Sequence, residues 1–276
     1  MSMDTYFYLV IVAGLIAGAS TGLLGVYIVG MRIPFIGICI SHAAMAGSIY
    51  GSFLAFANPT LTAICPALGG MTASVIAALS LAGVRPEKSR LDTNVVLAIV
   101  FCLMLGLTFL GIGLNQASRS EMLGLLWGNI LFTDKLGTIT IGVMAAGLAL
   151  FCALFNKELK VLLFSRSIAA ATGIHEGFVY ALFLVLCGII LAVNLPLIGG
   201  LMIFSIITCP AAAAYQICTG HRSVVIAATV FGMLSALIGF VVSFYFDLPT
   251  GACIVLVSAA IFGLSALARF ARNRAD

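Results

Sequence analysis

His42 lies eight residues after Pro34, inside a long apolar run. At a helical rise of about 1.5 Å per residue it sits about 12 Å along the helix, below the headgroups of a bilayer. Cys39 precedes it by three residues and Met45 follows by three. Positions three apart share a helix face. Imidazole, thiolate and thioether all bind borderline or soft metals. The pattern therefore suits transient metal binding or gating on a translocation path. A buried histidine bonded to a nearby carbonyl or hydroxyl fits the same residues, and both readings stand. Ionisable side chains inside a membrane are costly and mark function. Cysteines apart, His42 is the only one placed well inside an apolar segment: each Asp and Glu falls at a segment end or in a loop.

Other chemistries find no constellation. No Lys follows a Gly, so there is no Walker A loop, and there is no HExxH. The chain cannot hydrolyse a nucleotide by itself; an ATP-driven process would need a separate subunit. One GxSxG string, from Gly18 to Gly22, lies inside the first apolar run, whereas a nucleophile elbow needs a strand-to-helix turn. The eight cysteines are dispersed with no CxxC spacing and read as small buried hydrophobes, not as a disulfide scaffold. A scattered net charge of +4 does not suggest nucleic acid.

The elements that must position His42 follow from composition. Of 276 residues, 63% are hydrophobic and 8% charged, against about 25% charged in a soluble domain. The bilayer is the solvent. The expected fold is all-α, a single polytopic transmembrane domain over 1–276. Nine hydrophobic segments are expected at 6–30, 35–57, 60–84, 93–114, 135–155, 178–194, 197–217, 223–246 and 250–269, with eight or ten possible. The first has no Lys or Arg before it and exceeds a signal core, so it is read as a retained span. A piece at 122–132 is too short to cross and suits a re-entrant or interfacial turn. Alternate gaps hold eleven of the thirteen basic residues; the other gaps hold Arg119 and Lys135. The basic-rich side is read as cytoplasmic, which puts the N-terminus outside and the C-terminus inside.

Small residues recur at helical spacing. Gly14, Gly18 and Gly22 form a ridge on the first segment, and Gly47 and Gly51 share a face of the second. Such ridges permit close backbone packing. The stretch 194–200, with Asn194, Pro196, Gly199 and Gly200, is either a tight outside turn or a broken helix lining a cavity. The stretch 247–251 is a second outside turn, with Pro249 and Thr250 placed to start the last helix. The longest cytoplasmic stretch, about 156–177, contains a predicted short helix over 166–173, capped by Ser165 or Ser167, favoured by Ala169 to Ala171 and ended by Gly173. It suits a docking element for a partner or a simple connector.

Four stretches together resemble the permeases of bacterial zinc, manganese and iron ABC importers, the ABC-3 family. They are Gly22–Gly25 with 32–47 around Ser41, His42 and Ala43; 164–174 with Ala169 and Gly173; 195–214 with Gly199, Gly200 and Pro210; and 232–256 with Asp247, Pro249, Thr250 and Gly251. The resemblance implies an inner-membrane permease paired with a second copy or a paralogue. It also implies a cytoplasmic ABC ATPase and an extracytoplasmic metal-binding protein as partners, with membrane lipid around it. The cargo would be a metal or metal chelate, with no permanent cofactor. His42 would lie on the path, with Cys39 and Met45 beside it. Ser165, Ser167, Ala169 and Gly173 would belong to the ATPase-coupling segment. Two departures matter. The family places an acid four residues before this histidine; here that residue is Ile38. The acidic positions of the coupling segment are Ser165 and Ser167. Hard ions such as manganese favour oxygen ligands, so the missing acid favours a chelate. The competing class is an ion-gradient-driven secondary transporter, which would usually carry coupling charges at midplane.

Overall fold

The computed structural model describes residues 3–55, 64–83, 92–114, 119–128, 135–164, 175–200 and 202–275. They form eleven helices: α1 (Met3–Gly30), α2 (Pro34–Ala55), α3 (Ile64–Ala82), α4 (Thr93–Leu114), α5 (Arg119–Trp127), α6 (Lys135–Leu154), α7 (Asn156–Phe164), α8 (Glu176–Ile198), α9 (Ile203–Ile217), α10 (His221–Phe246) and α11 (Thr250–Ala275). Among the described residues there is no strand. Helices satisfy their backbone groups internally, as lipid requires. Their hydroxyls do the same: Thr21, Thr108, Thr208 and Ser235 each donate to the carbonyl four residues back.

Eight helices are long and apolar enough to cross a bilayer: α1, α2, α3, α4, α6, α8, α10 and α11. The segment expected at 197–217 contains instead the 15-residue α9, about 22 Å long. Its start lies beside the start of α11, where a Cβ on Gly251 would be 3.1 Å from Met202. Its last turn meets the far end of α11, where Arg269 donates to Gln216 Oε1 at 2.7 Å. The helix expected to end at 194 continues through Asn194 and Pro196 to Ile198. Pro196 sits in the final turn, where a missing N–H costs a single ladder bond. The piece at 122–132 contributes α5, which lies at 119–127.

Glycine contacts hold the centre together. Gly18 and Gly232 face each other across α1 and α10, each against the other's carbonyl, and Gly22 abuts the carbonyl of Ala228. Gly47 and Gly69 repeat the arrangement between α2 and α3. Gly188 packs α8 on Ser74 of α3. The most apolar windows of α1, α2 and α8 are 61%, 67% and 56% buried, against 22% for those of α3, α4 and α6. The first three are the inner helices and the latter form a lipid-facing layer. Four cysteines (Cys39, Cys152, Cys187, Cys253) are buried as expected; Cys102 is exposed on α4. All eight are free.

Candidate functional site

His42 is fully buried on α2. Its Nδ1 lies 2.9 Å from the carbonyl oxygen of Ile38. A carbonyl only accepts, so Nδ1 carries the proton. Nε2 of the neutral ring then keeps its lone pair, and it is buried with no hydrogen-bond partner among the described residues. The ring meets Phe101 of α4 edge-on, with centroids 4.8 Å apart. Cys39, also fully buried, donates its thiol to the carbonyl of Leu97 at 2.8 Å. Leu97 and Phe101 are one turn apart, so Cys39 and His42 face the same strip of α4.

Met45 does not join them. It is buried against the turn between α8 and α9, where a Cβ on Gly200 would lie 2.9 Å from its Sδ. Met45 is eleven residues from the start of α2 and ten from its end. The α8–α9 turn is therefore packed at the middle of α2, one helical turn beyond His42. Gly199 adopts φ 88° there, a left-handed conformation natural to glycine. Gly128, at φ 69°, ends α5 against the Gly199 backbone. The Gly200 N–H donates to Leu125 at 2.9 Å. Gly251 brings the start of α11 onto the carbonyls of Trp127 and Ile198. Three chain segments thus meet through bare backbone at one point.

Asn194, expected in either a tight turn or a broken helix, is the last polar residue of α8. It is fully buried in α8, with Nδ2 donating to Ser20 of α1 at 3.1 Å, and its Oδ1 has no partner among the described residues. The signal available was its spacing, five residues before the first glycine, which leaves room for a last helical turn. Among the described residues no three His, Cys, Asp or Glu side chains converge as a metal cage. Ile38 is half-buried. Ser165, Ser167, Ala169 and Gly173 lie outside the described residues. Just before them α7 follows α6 across Phe155 alone, with Leu159 and Leu162 buried and Lys157 exposed.

The model of the ABC 3 transport family matches residues 3–269. The chain belongs to the ABC 3 transport family. Its ABC 3 relatives include the "Manganese transport system membrane protein MntC" of Listeria monocytogenes, 28% identical over 260 residues, which cover 93% of this chain and 88% of the relative. They also include the "High-affinity zinc uptake system membrane protein ZnuB" of Haemophilus influenzae, 25% identical, with 94% and 96% covered. The solved structure "PsaBC from Streptococcus pneumoniae in complex with Fab" superposes with a TM-score of 0.80 at 22% identity, over 94% of this chain and 90% of that one. That likeness establishes the fold. As an ABC 3 protein with eight helices able to cross a membrane, this chain is a multi-pass bacterial inner-membrane permease.

Proposed function

We propose that this ABC 3 permease carries a transition metal, as an ion or a chelate, into the cell on a path that passes His42. The observation behind the reading is the buried Nε2 of a neutral imidazole, which has no partner among the described residues. An orphaned polar atom of this kind costs about 1–3 kcal/mol and calls for a reason. A lone pair held for passing metal is such a reason, and relatives named for manganese and zinc transport support it. Cys39, beside it, offers a soft donor once its thiol leaves Leu97. With Ile38 in place of a carboxylate and no multi-ligand cage among the described residues, the cargo best suited is a borderline or soft metal, or a chelate bringing its own ligands.

The energy comes from a cytoplasmic ABC ATPase docked at about 156–177, with Ser165, Ser167, Ala169 and Gly173 at the contact. An extracytoplasmic metal-binding protein delivers the cargo, and a second permease copy or a paralogue completes the path. In this topology α9 serves as a ninth crossing, with the N-terminus outside and the C-terminus in the cytoplasm. A gradient-driven mechanism has less support: no Asp, Glu, Lys or Arg is buried among the described residues. The test is purification with co-expressed partners and measurement of bound metal and ATPase stimulation. Stimulation by a metal or chelate in the presence of the binding protein is expected; transport that persists without ATP and collapses with the proton gradient would overturn the reading.

A further inference from the structure

A groove of about 410 Å³ opens on the flank of the bundle between α1, α6 and α10, away from His42. Its wall is apolar, with Ala149, Ala153 and Val225 along it. Its end is polar, formed by Asn156, His221 and Arg222. The His221 ring packs edge-on against buried Tyr27, with centroids 6.0 Å apart. His221 Nε2 is buried and has no partner among the described residues. Lys160 of α7 acts electrostatically on the same ring. Arg222 is exposed, and among the described residues neither cation is paired with a carboxylate.

The depth of this polar end follows from where its residues stand on the spanning helices. Asn156 comes two residues after the end of α6, and His221 and Arg222 are the first two residues of α10. The basic end of the groove is then at headgroup level and the apolar wall runs into hydrocarbon. A soluble anion would use the first and leave the second bare. A neutral acyl chain would do the reverse. An amphiphile with an anionic head matches both, and basic pockets between spanning helices recognise such heads.

We propose that this groove binds one anionic phospholipid, its acyl chain along Ala149, Ala153 and Val225 and its phosphate at Arg222 and Asn156, with the charge of Lys160 nearby. The site is independent of the cargo path and of the metal carried.

The test uses the full permease equilibrated with vesicles of equal phosphatidylglycerol and phosphatidylcholine, with retained lipid counted per permease by mass spectrometry. The unsubstituted chain should retain phosphatidylglycerol in preference to phosphatidylcholine. Arg222→Gln should lower that preference about five-fold, the loss expected from removing one basic residue at an anionic surface. Ala153→Phe, at an exposed position, should fill the groove and remove the retained lipid. Arg269→Gln removes a charge bound to Gln216 and should change nothing. Equal losses with Arg222→Gln and Arg269→Gln would mean diffuse surface charge and overturn the proposal. So would unchanged lipid with Ala153→Phe, or a change of permease stoichiometry in its place, which would make the groove a contact between copies.

Discussion

The imidazole of His42 donates from Nδ1 to the carbonyl oxygen of Ile38, 2.9 Å away. Position 38, where the resemblance led us to expect an acid, thus supplies the backbone acceptor that orients the histidine. This bond fixes the tautomer and turns the free lone pair onto Nε2. Two predictions separate the two halves of that relationship.

The first concerns the ring. His42→Ala should lower transport at least about tenfold, the scale on which metal sites respond when their support is removed, with expression unchanged. His42→Gln keeps a hydrogen bond but loses most metal affinity, so it should stay low too. Ligation needs an unprotonated nitrogen, so wild-type uptake should be lost at any pH low enough to protonate the ring. Full transport by the Gln variant would make His42 a structural residue.

The second concerns the lost acid. Ile38→Asp puts a carboxylate one helical turn from the ring at a half-buried position. Oxygen ligands favour hard ions, so uptake competition should shift towards manganese. An unchanged ranking of metals would show that side chain 38 does not face the path.

A third prediction tests the backbone junction. Gly199→Ala imposes φ 88° on an L-residue and drives a methyl into the Trp127–Gly128 backbone. At φ 88° and ψ 140° the backbone conformation alone costs a non-glycine residue about 1–3 kcal/mol. The melting temperature of the detergent-solubilised permease should fall clearly, while Gly113→Ala, in a helix with open space around it, should not lower it. Equal melting temperatures would count against the junction.

Topology is tested by labelling. In a cysteine-free variant, single cysteines at Ser89 and Ser165 should react only from the cytoplasmic side, and one at Asn58 only from outside. Labelling of position 165 in intact cells by an impermeant reagent would reverse the orientation.

The proposed coupling segment is tested at Gly173. A Gly173→Leu variant should insert normally, lose most transport and fail to stimulate the ATPase, because a large side chain would replace a residue that tolerates close backbone approach. Normal uptake and ATPase stimulation would reduce the segment to a connector.

The spanning helices were legible because hydrophobic length is a property of each segment alone. His42 was legible for the same reason: one imidazole stands out in an apolar run. Which neighbour each side chain meets was not. Spacing put Cys39, His42 and Met45 on one face, yet Cys39 and His42 turn to α4 while Met45 meets Gly200. A helix face is wide enough to touch two partners, and spacing cannot divide it. Pro196 left two readings open for a different reason. Read locally, proline fits either a turn or a broken helix; here Gly199 closes the final turn by donating to Leu195, and buried Asn194 is held by Ser20. Those are tertiary settlements of a local conflict.

The reciprocal glycines of α1 and α10 have a mechanical consequence. Where Gly18 and Gly232 each abut the other's carbonyl, sliding would drive backbone into backbone, so the two helices travel as one rigid strut. α4 is joined to α2 differently, by a thiol, an aromatic edge and the Tyr50 hydroxyl on Leu107. Side-chain links of that kind can break and re-form between two packed arrangements. The seam between α1 and α10 is therefore fixed by backbone, while the seam beside His42, between α2 and α4, is held by side chains alone at these three points.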